Sequence, residues 1–241
     1  MILHVLWLKD YLKVNDPYVY KGTSVLKNKL NIKDNKKLKE AEDTFHYLNV
    51  MEICQNPFKI KTVFDVKKVH KRLFDKLYDW AGENRTINIY KNEPILHGLS
   101  VNYSDYREID KDLEKIDNYF KSIEWSKLTK SKMIDEIVAV ISSIWKIHCF
   151  REGNSRTVTM FLYLFMKQNR LKVNLNLIEK HAKYFRNALV LASIGEYSEF
   201  EHLRNILLDS ISTKDAKTNK YKTIRNYQVD KYKYRNHEYK E

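Results

Sequence analysis

Cysteine, proline and glycine are all scarce in this chain: two, three and five among 241 residues. Cys54 and Cys149 make no disulfide framework, and so few cysteines fit a reducing compartment. Neither they nor the histidines recur at paired ligand spacings, which argues against a zinc site. With few turn-formers and little period-two alternation, the chain reads as mostly helical. No apolar run approaches membrane-spanning length, so no membrane partner is expected. Residues 1–8 are apolar but too short for a signal core, and they lack a basic start. The expected location is therefore cytoplasmic, with delivery into another cell left open. No internal repeat or low-complexity tract stands out.

Charge is plentiful: 44 Lys and Arg against 31 Asp and Glu, a formal net charge of +13. That excess suits an acidic partner surface, nucleic acid, or simply a lysine-rich solvated exterior, and the last is the simplest reading. The length suggests one sizeable core with an appendage. The expected division is a domain over 1–212, its core about 16–208, and a tail over 213–241. The tail has no apolar stripe and carries nine Lys and Arg, four Asp and Glu, and five interleaved tyrosines. Such a composition can bind single-stranded nucleic acid. It is more often a solvated terminus, so nucleic acid is not the expected partner.

The chain is organised around residues 134–166. Met133, Ile134, Ile137, Val138, Ile141, Ile144 and Trp145 recur at three- and four-residue steps, the pattern of a helix with one buried face. Residues 161–166 are apolar throughout, so a helix there is covered on all sides. Between them lies a polar island, His148-Cys149-Phe150-Arg151-Glu152-Gly153-Asn154-Ser155-Arg156. Core packing does not ask for such residues. Asn154 is a suitable N-cap for the second helix, leaving the amides of Ser155, Arg156 and Thr157 among its unpaired donors. A helix start with a glycine before it favours an anion, and Gly153 permits close backbone approach. Arg156 could grip a second phosphate bidentately. Glu152 is a hard oxygen ligand suited to Mg²⁺. His148 has the near-neutral pKa of a general base, although a lone histidine at a helix end is usually a dipole partner. Phe150 reads as a structural anchor, and Cys149 as a buried, inert thiol.

The flanks divide into further helices. A turn-like stretch at 16–30 holds a possible short helix capped by Thr23 or Ser24. One helix is expected over 38–53 with Leu38, Ala41, Phe45, Leu48 and Met51 inward. A second runs over 65–80 with Val69, Leu73, Leu77 and Trp80 inward and Gly82 as its stop. His46 and His70 read as surface or satisfied core histidines. The one strand signal, Arg85-Thr86-Ile87-Asn88-Ile89-Tyr90, predicts a hairpin that turns at 91–94 and returns at 95–97. It is either a covering hairpin or a free edge for an extended peptide. Ser104 then caps a helix bearing Ile109, Leu113, Ile116 and Phe120. Asn176 caps another with Ile178, Ala182, Phe185, Leu189 and Ala192, broken at Gly195. Ser198 opens the last, with Phe200, Leu203, Ile206 or Leu207, and Ile211.

The island resembles the signature of the Fic family, His-x-Phe-x-Asp/Glu-Gly-Asn-x-Arg. His148, Phe150, Glu152, Gly153, Asn154 and Arg156 match it. Cys149 stands where proline is usual, Ser155 where glycine is common, and Thr159 where a second arginine belongs. Trp80-Ala81-Gly82-Glu83 and the 85–89 run are similar to the family's flap. The run Tyr18-Val19-Tyr20-Lys21-Gly22-Thr23, followed by Leu26-Lys27-Asn28-Lys29, is similar to its opening segment. The resemblance implies an all-α bundle around a central helix–loop–helix with one β-hairpin flap.

It further implies transfer of AMP from ATP to a Ser, Thr or Tyr hydroxyl of a target protein. His148 would be the base, Glu152 the Mg²⁺ ligand, and Gly153, Asn154, Ser155 and Arg156 the phosphate site. Lys27 and Asn28 would lie near the nucleotide, while by their residue types they read equally as a solvated lysine and a surface asparagine. Thr86, Ile87, Asn88, Ile89 and Tyr90 would position the target. Thr159 removes a guanidinium that helps hold the triphosphate tail. The family's self-inhibiting Ser/Thr-x-x-x-Glu-Gly/Asn helix has no match near either terminus, so restraint is expected from a separate antitoxin-like protein. The other readings are a Fic-like scaffold holding nucleic acid or an acidic partner, and a hydrolase that removes the nucleotide.

Overall fold

In the computed structural model of the chain, residues 16–212 and Tyr221 are described, and they hold eight α-helices and no β-strand. Asp34 starts α1 (Asn35–Gln55) by accepting from the Lys37 amide. The stripe this helix buries is Leu38, Glu42, Asn49 and Ile53. The expected Leu48 and Met51 face outward instead, 51 % and 45 % exposed. The helix turns two polar residues inward because each finds a partner there. Asn49 donates to the Leu73 carbonyl at 2.8 Å, and Glu42 meets Tyr78 and Arg156.

The second helix, α2 (Asp65–Phe74), ends six residues earlier than the pattern suggested. Leu77 and Tyr78 continue its buried face through turns, and Gly82, at φ +88°, lies beyond them. Asp105, not Ser104, caps the turn leading into α3 (Ile109–Ser122), whose Ile109, Leu113 and Phe120 are buried. Thr129 starts α4 (Lys130–Ile147), and all seven apolar residues expected on its inner face are buried. The next helix, α5 (Asn154–Gln168), buries Phe161, Leu162, Leu164, Phe165 and Met166, as its uniform apolarity requires.

Asn174 caps α6 (Leu175–Lys180), and a break at His181 separates it from α7 (Ala182–Leu191) where one helix was expected. The last helix, α8 (Glu201–Ser210), buries Leu203, Ile206 and Leu207 and leaves Phe200 outside. Residues 20–25 form a turn with one isolated bridge, Val19 to Leu26, in place of a capped helix. The core is thus α4 and α5, with α2 packed on α5 and α1 on α2, and with α3, α7 and α8 packed on α4. No helix among the described residues is long and apolar enough to cross a membrane. The tail expected over 213–241 lies outside the described residues except Tyr221, which is buried and bonded to Asp209.

The predicted hairpin is absent among the described residues. The segment from 85 to 92 forms no regular element, bends at 86–87 and pairs with no strand, and Pro94–Leu96 is a single 3₁₀ turn ended by His97 at φ 52°. Burial still alternates, with Arg85, Ile87, Ile89 and Lys91 more covered than Thr86, Asn88 and Tyr90. Period-two patterning reports one covered face, which a ladder partner is not needed to produce. The backbone here bonds elsewhere: Arg85 N–H to the Cys149 carbonyl, Thr86 N–H to the Tyr18 hydroxyl, and Lys91 N–H to Ser100 Oγ.

Candidate active site

At the end of α4 the chain reverses through His148, which takes the left-handed conformation at φ 56°. That backbone is costly for a residue with a Cβ, so the surroundings must hold it. Arg85 does much of this. Its buried guanidinium donates to the His148 carbonyl at 2.8 Å, to Ile87 at 2.7 Å, and to the Ser104 carbonyl. A cation on the last carbonyls of a helix meets their partial negative charge. Burial lowers the Arg85 pKa from its ordinary value, and the five-donor fork is spent on carbonyl oxygens.

The polar island closes on itself. Asn154 accepts from the Phe150 amide at 3.0 Å and donates to the Phe150 carbonyl at 2.7 Å. Phe150 is buried as expected, stacked on the His70 ring at 3.8 Å. His70 proves to be a satisfied core histidine with a structural task. The Gly82 N–H donates to its Nδ1 at 2.8 Å, so its Nε2 carries the proton and donates to the Glu152 carbonyl at 3.1 Å. Burial, the largest cause, lowers its pKa to about 3. Arg151 is tied to Asp16 at 2.6 Å.

Two expectations at the start of α5 change. The N-cap is Gly153 at φ +82°, and Asn154 is the first helical residue, its side chain already committed to Phe150. The Thr157 amide donates to the Gly153 carbonyl at 2.9 Å, so the unpaired first-turn donors are those of Asn154, Ser155 and Arg156. Gly153 is needed for its backbone angle and also for space. A Cβ there would stand 2.5 and 2.6 Å from carbons of the Phe74 ring. The close approach is therefore to Phe74.

Four charged or titratable groups converge on this loop. His148 is 2 % exposed, with its Nδ1 3.1 Å from the Trp145 carbonyl, which places the proton on that nitrogen. Nε2 then carries the lone pair, and it is buried with no hydrogen-bond partner. Burial first, and then the nearby Lys91 ammonium, push the imidazole pKa well below 6.5. The Tyr103 ring covers the imidazole at 4.0 Å. Glu152 accepts from the Gly153 amide at 3.0 Å and meets the Lys91 ammonium at 3.2 Å. Burial alone would raise its pKa, but Lys91, that amide and Arg156 outweigh it and hold the carboxyl at about 2. Arg156 bonds to Glu42, lies 3.8 Å from Glu152, and stacks over Phe74. Ser155 Oγ accepts from the Trp145 indole at 2.9 Å. Cys149 is buried, its thiol pushed up to about 12 by burial, which makes it inert.

Of the other residues singled out in the sequence, Lys27 and Asn28 spend their side chains within 17–32. Lys27 donates to the Pro17 carbonyl, and Asn28 bridges Leu26 and Ile32. Thr86 bonds to Tyr18, Asn88 to Asp105, and Tyr90 to the Gly98 carbonyl, while Ile87 and Ile89 are half-buried. The residues that sequence reasoning missed are Glu42, Arg85 and Lys91. Glu42 and Arg85 left a faint signal, each being a charge at a position the local pattern marks as inward. Lys91 left none, since it sits in what reads as a turn.

The Fic/DOC family model matches residues 61–166. A protein adenylyltransferase of Bartonella schoenbuchensis, VbhT, is 26 % identical over 203 residues, covering 83 % of this chain and 40 % of that protein. The chain thus spans well under half the length of that relative. A probable protein adenylyltransferase of Sinorhizobium fredii, y4lH, is 28 % identical over 189 residues, 77 % of this chain and 92 % of that one. The crystal structure of BepC from Bartonella tribocorum, with bound AMPPNP, superposes with a TM-score of 0.68 at 21 % identity, covering 85 % of this chain and all of that one. That likeness establishes the fold.

Proposed function

Because the chain carries a Fic/DOC domain over residues 61–166, we propose that it is a protein adenylyltransferase, moving AMP from ATP to a Ser, Thr or Tyr hydroxyl of a target protein. The observation that carries this reading is the state of His148. Its proton is fixed on Nδ1, its Nε2 lone pair has no partner, and its pKa is pushed below the ordinary value, so it is a neutral base at pH 7.

In this proposal Nε2 takes the proton of the target hydroxyl as that oxygen bonds to the α-phosphorus. The bond from phosphorus to the β-bridging oxygen breaks, and pyrophosphate departs with the electron pair. The amides of Asn154, Ser155 and Arg156 face the charge on the phosphates, and the Arg156 guanidinium adds its own. Glu152 fits a metal ion: its carboxylate is ionised and already draws a cation. No group of three or more His, Cys, Asp or Glu among the described residues could hold a metal. Glu152 would hold a Mg²⁺, which when bound would neutralise charge on the phosphates. The AMPPNP bound to BepC supports ATP as co-substrate.

Residues 86–90 follow Arg85, whose amide donates to the Cys149 carbonyl, and would position the target chain. Nε2 is buried, with the Tyr103 ring 4.0 Å from the imidazole, so the groups that cover it must move for a hydroxyl to come within hydrogen-bond reach. Restraint by a separate antitoxin-like protein belongs to the same proposal. The test is incubation of protein and cell lysate with α-labelled ATP and Mg²⁺. Label should appear on protein and be lost in His148→Ala with the fold intact by circular dichroism. Equal labelling by that variant would overturn the role of His148.

A further inference from the structure

The cations around the loop can be accounted for one by one. Arg85 is spent on carbonyl oxygens, Arg151 on Asp16, and Arg156 is divided between Glu42 and Glu152. Lys91 differs: its one ion-pair partner among the described residues is Glu152. That carboxylate is the group a divalent cation would occupy. Lys91 reaches it from the 85–92 segment rather than from α5, with its backbone amide held on Ser100 Oγ. Its ammonium is also near enough to His148 to lower the imidazole pKa.

A divalent ion arriving alone at Glu152 is repelled by the Lys91 ammonium already on that carboxylate, whereas one arriving with a polyphosphate brings an anion that Lys91 can turn to. We propose that Lys91 is a nucleotide-binding residue, its ammonium passing from Glu152 to the polyphosphate as nucleotide and metal enter together.

This rests on the loop being the phosphate site, and the test separates the two ideas. Binding of Mn²⁺ alone, read from the EPR signal of the free ion, should be at least about fivefold tighter in Lys91→Met than in the unaltered chain. Binding of a fluorescent ADP with saturating Mg²⁺, read by anisotropy, should be weaker by about tenfold in that variant, as expected for losing one charged hydrogen bond. Lys91→Arg should stay near the unaltered value for ADP. Lys91→Gln repeats both titrations should the methionine variant melt early. An ADP affinity unchanged in Lys91→Met, while the unaltered chain binds, overturns the Lys91 assignment alone. No ADP binding by the unaltered chain, with or without Mg²⁺, overturns the phosphate site and Lys91 with it.

Discussion

Replacing Gly153 with alanine should expose how tightly the loop is set. The residue sits at φ +82°, and its missing Cβ would stand 2.5 and 2.6 Å from the Phe74 ring. The left-handed backbone costs a residue with a Cβ roughly 1–2 kcal/mol. Forcing a methyl against a packed ring adds about 1–3 kcal/mol. Phe74 cannot easily retreat, since it is buried and packs beside His70 and under Arg156. The sum is about 2–5 kcal/mol, which for a chain of this length lowers the melting temperature on the order of 5–15 °C. Differential scanning fluorimetry would read that shift. The two contributions can be separated by a double-mutant cycle with Phe74→Leu, because a smaller side chain removes the clash and leaves the backbone strain. The coupling energy should be about 1–3 kcal/mol in favour of the pair. Gly153→Ala melting within 1 °C of the unaltered chain, or effects of the two changes that simply add, would refute the argument.

Two further outcomes concern pH. Burial holds the His148 imidazole well below 6.5, so kcat/KM for the proposed AMP transfer should not begin to fall as pH drops through 6.5. An acid limb at or above 6.5 would contradict the buried, neutral base. His70 is held neutral with a folded pKa of about 3 against an unfolded value near 6.5. The unfolded chain therefore binds the extra proton first. The contribution is complete above 6.5 and is lost progressively as pH falls toward 3. Between pH 7.5 and 5 this residue should account for about 2 kcal/mol of lost stability in urea denaturation, and His70→Gln should flatten that slope. An equally steep slope in the variant would assign the loss to other groups.

The helices and the loop between α4 and α5 were legible because their signals are local. Steps of three and four from Met133 to Trp145 leave one apolar face to bury, and the run at 161–166 leaves no polar face to expose. The island's residue types carried their chemistry with them: a base, a carboxylate, an amide and a guanidinium within nine residues. The misreadings were local as well. Leu48 and Met51 belong to an apolar stripe by spacing, yet α1 turns Glu42 and Asn49 inward toward Arg156 and the Leu73 carbonyl. Asn154 has the composition of an N-cap, and it serves the Phe150 backbone instead.

What the sequence by itself determined is the mostly helical class, the inner faces of α4 and α5, and the set of groups offered by the reversal. Periodicity and residue chemistry need no distant partner to be read. What only the tertiary structure decided is how those groups are held and charged: Arg85 on the His148 carbonyl, His70 on the Glu152 carbonyl, Glu42 on Arg156, and Lys91 on Glu152. These partners lie between about 60 and 115 positions apart along the chain. Their meeting depends on helices packing side by side, which no local pattern encodes.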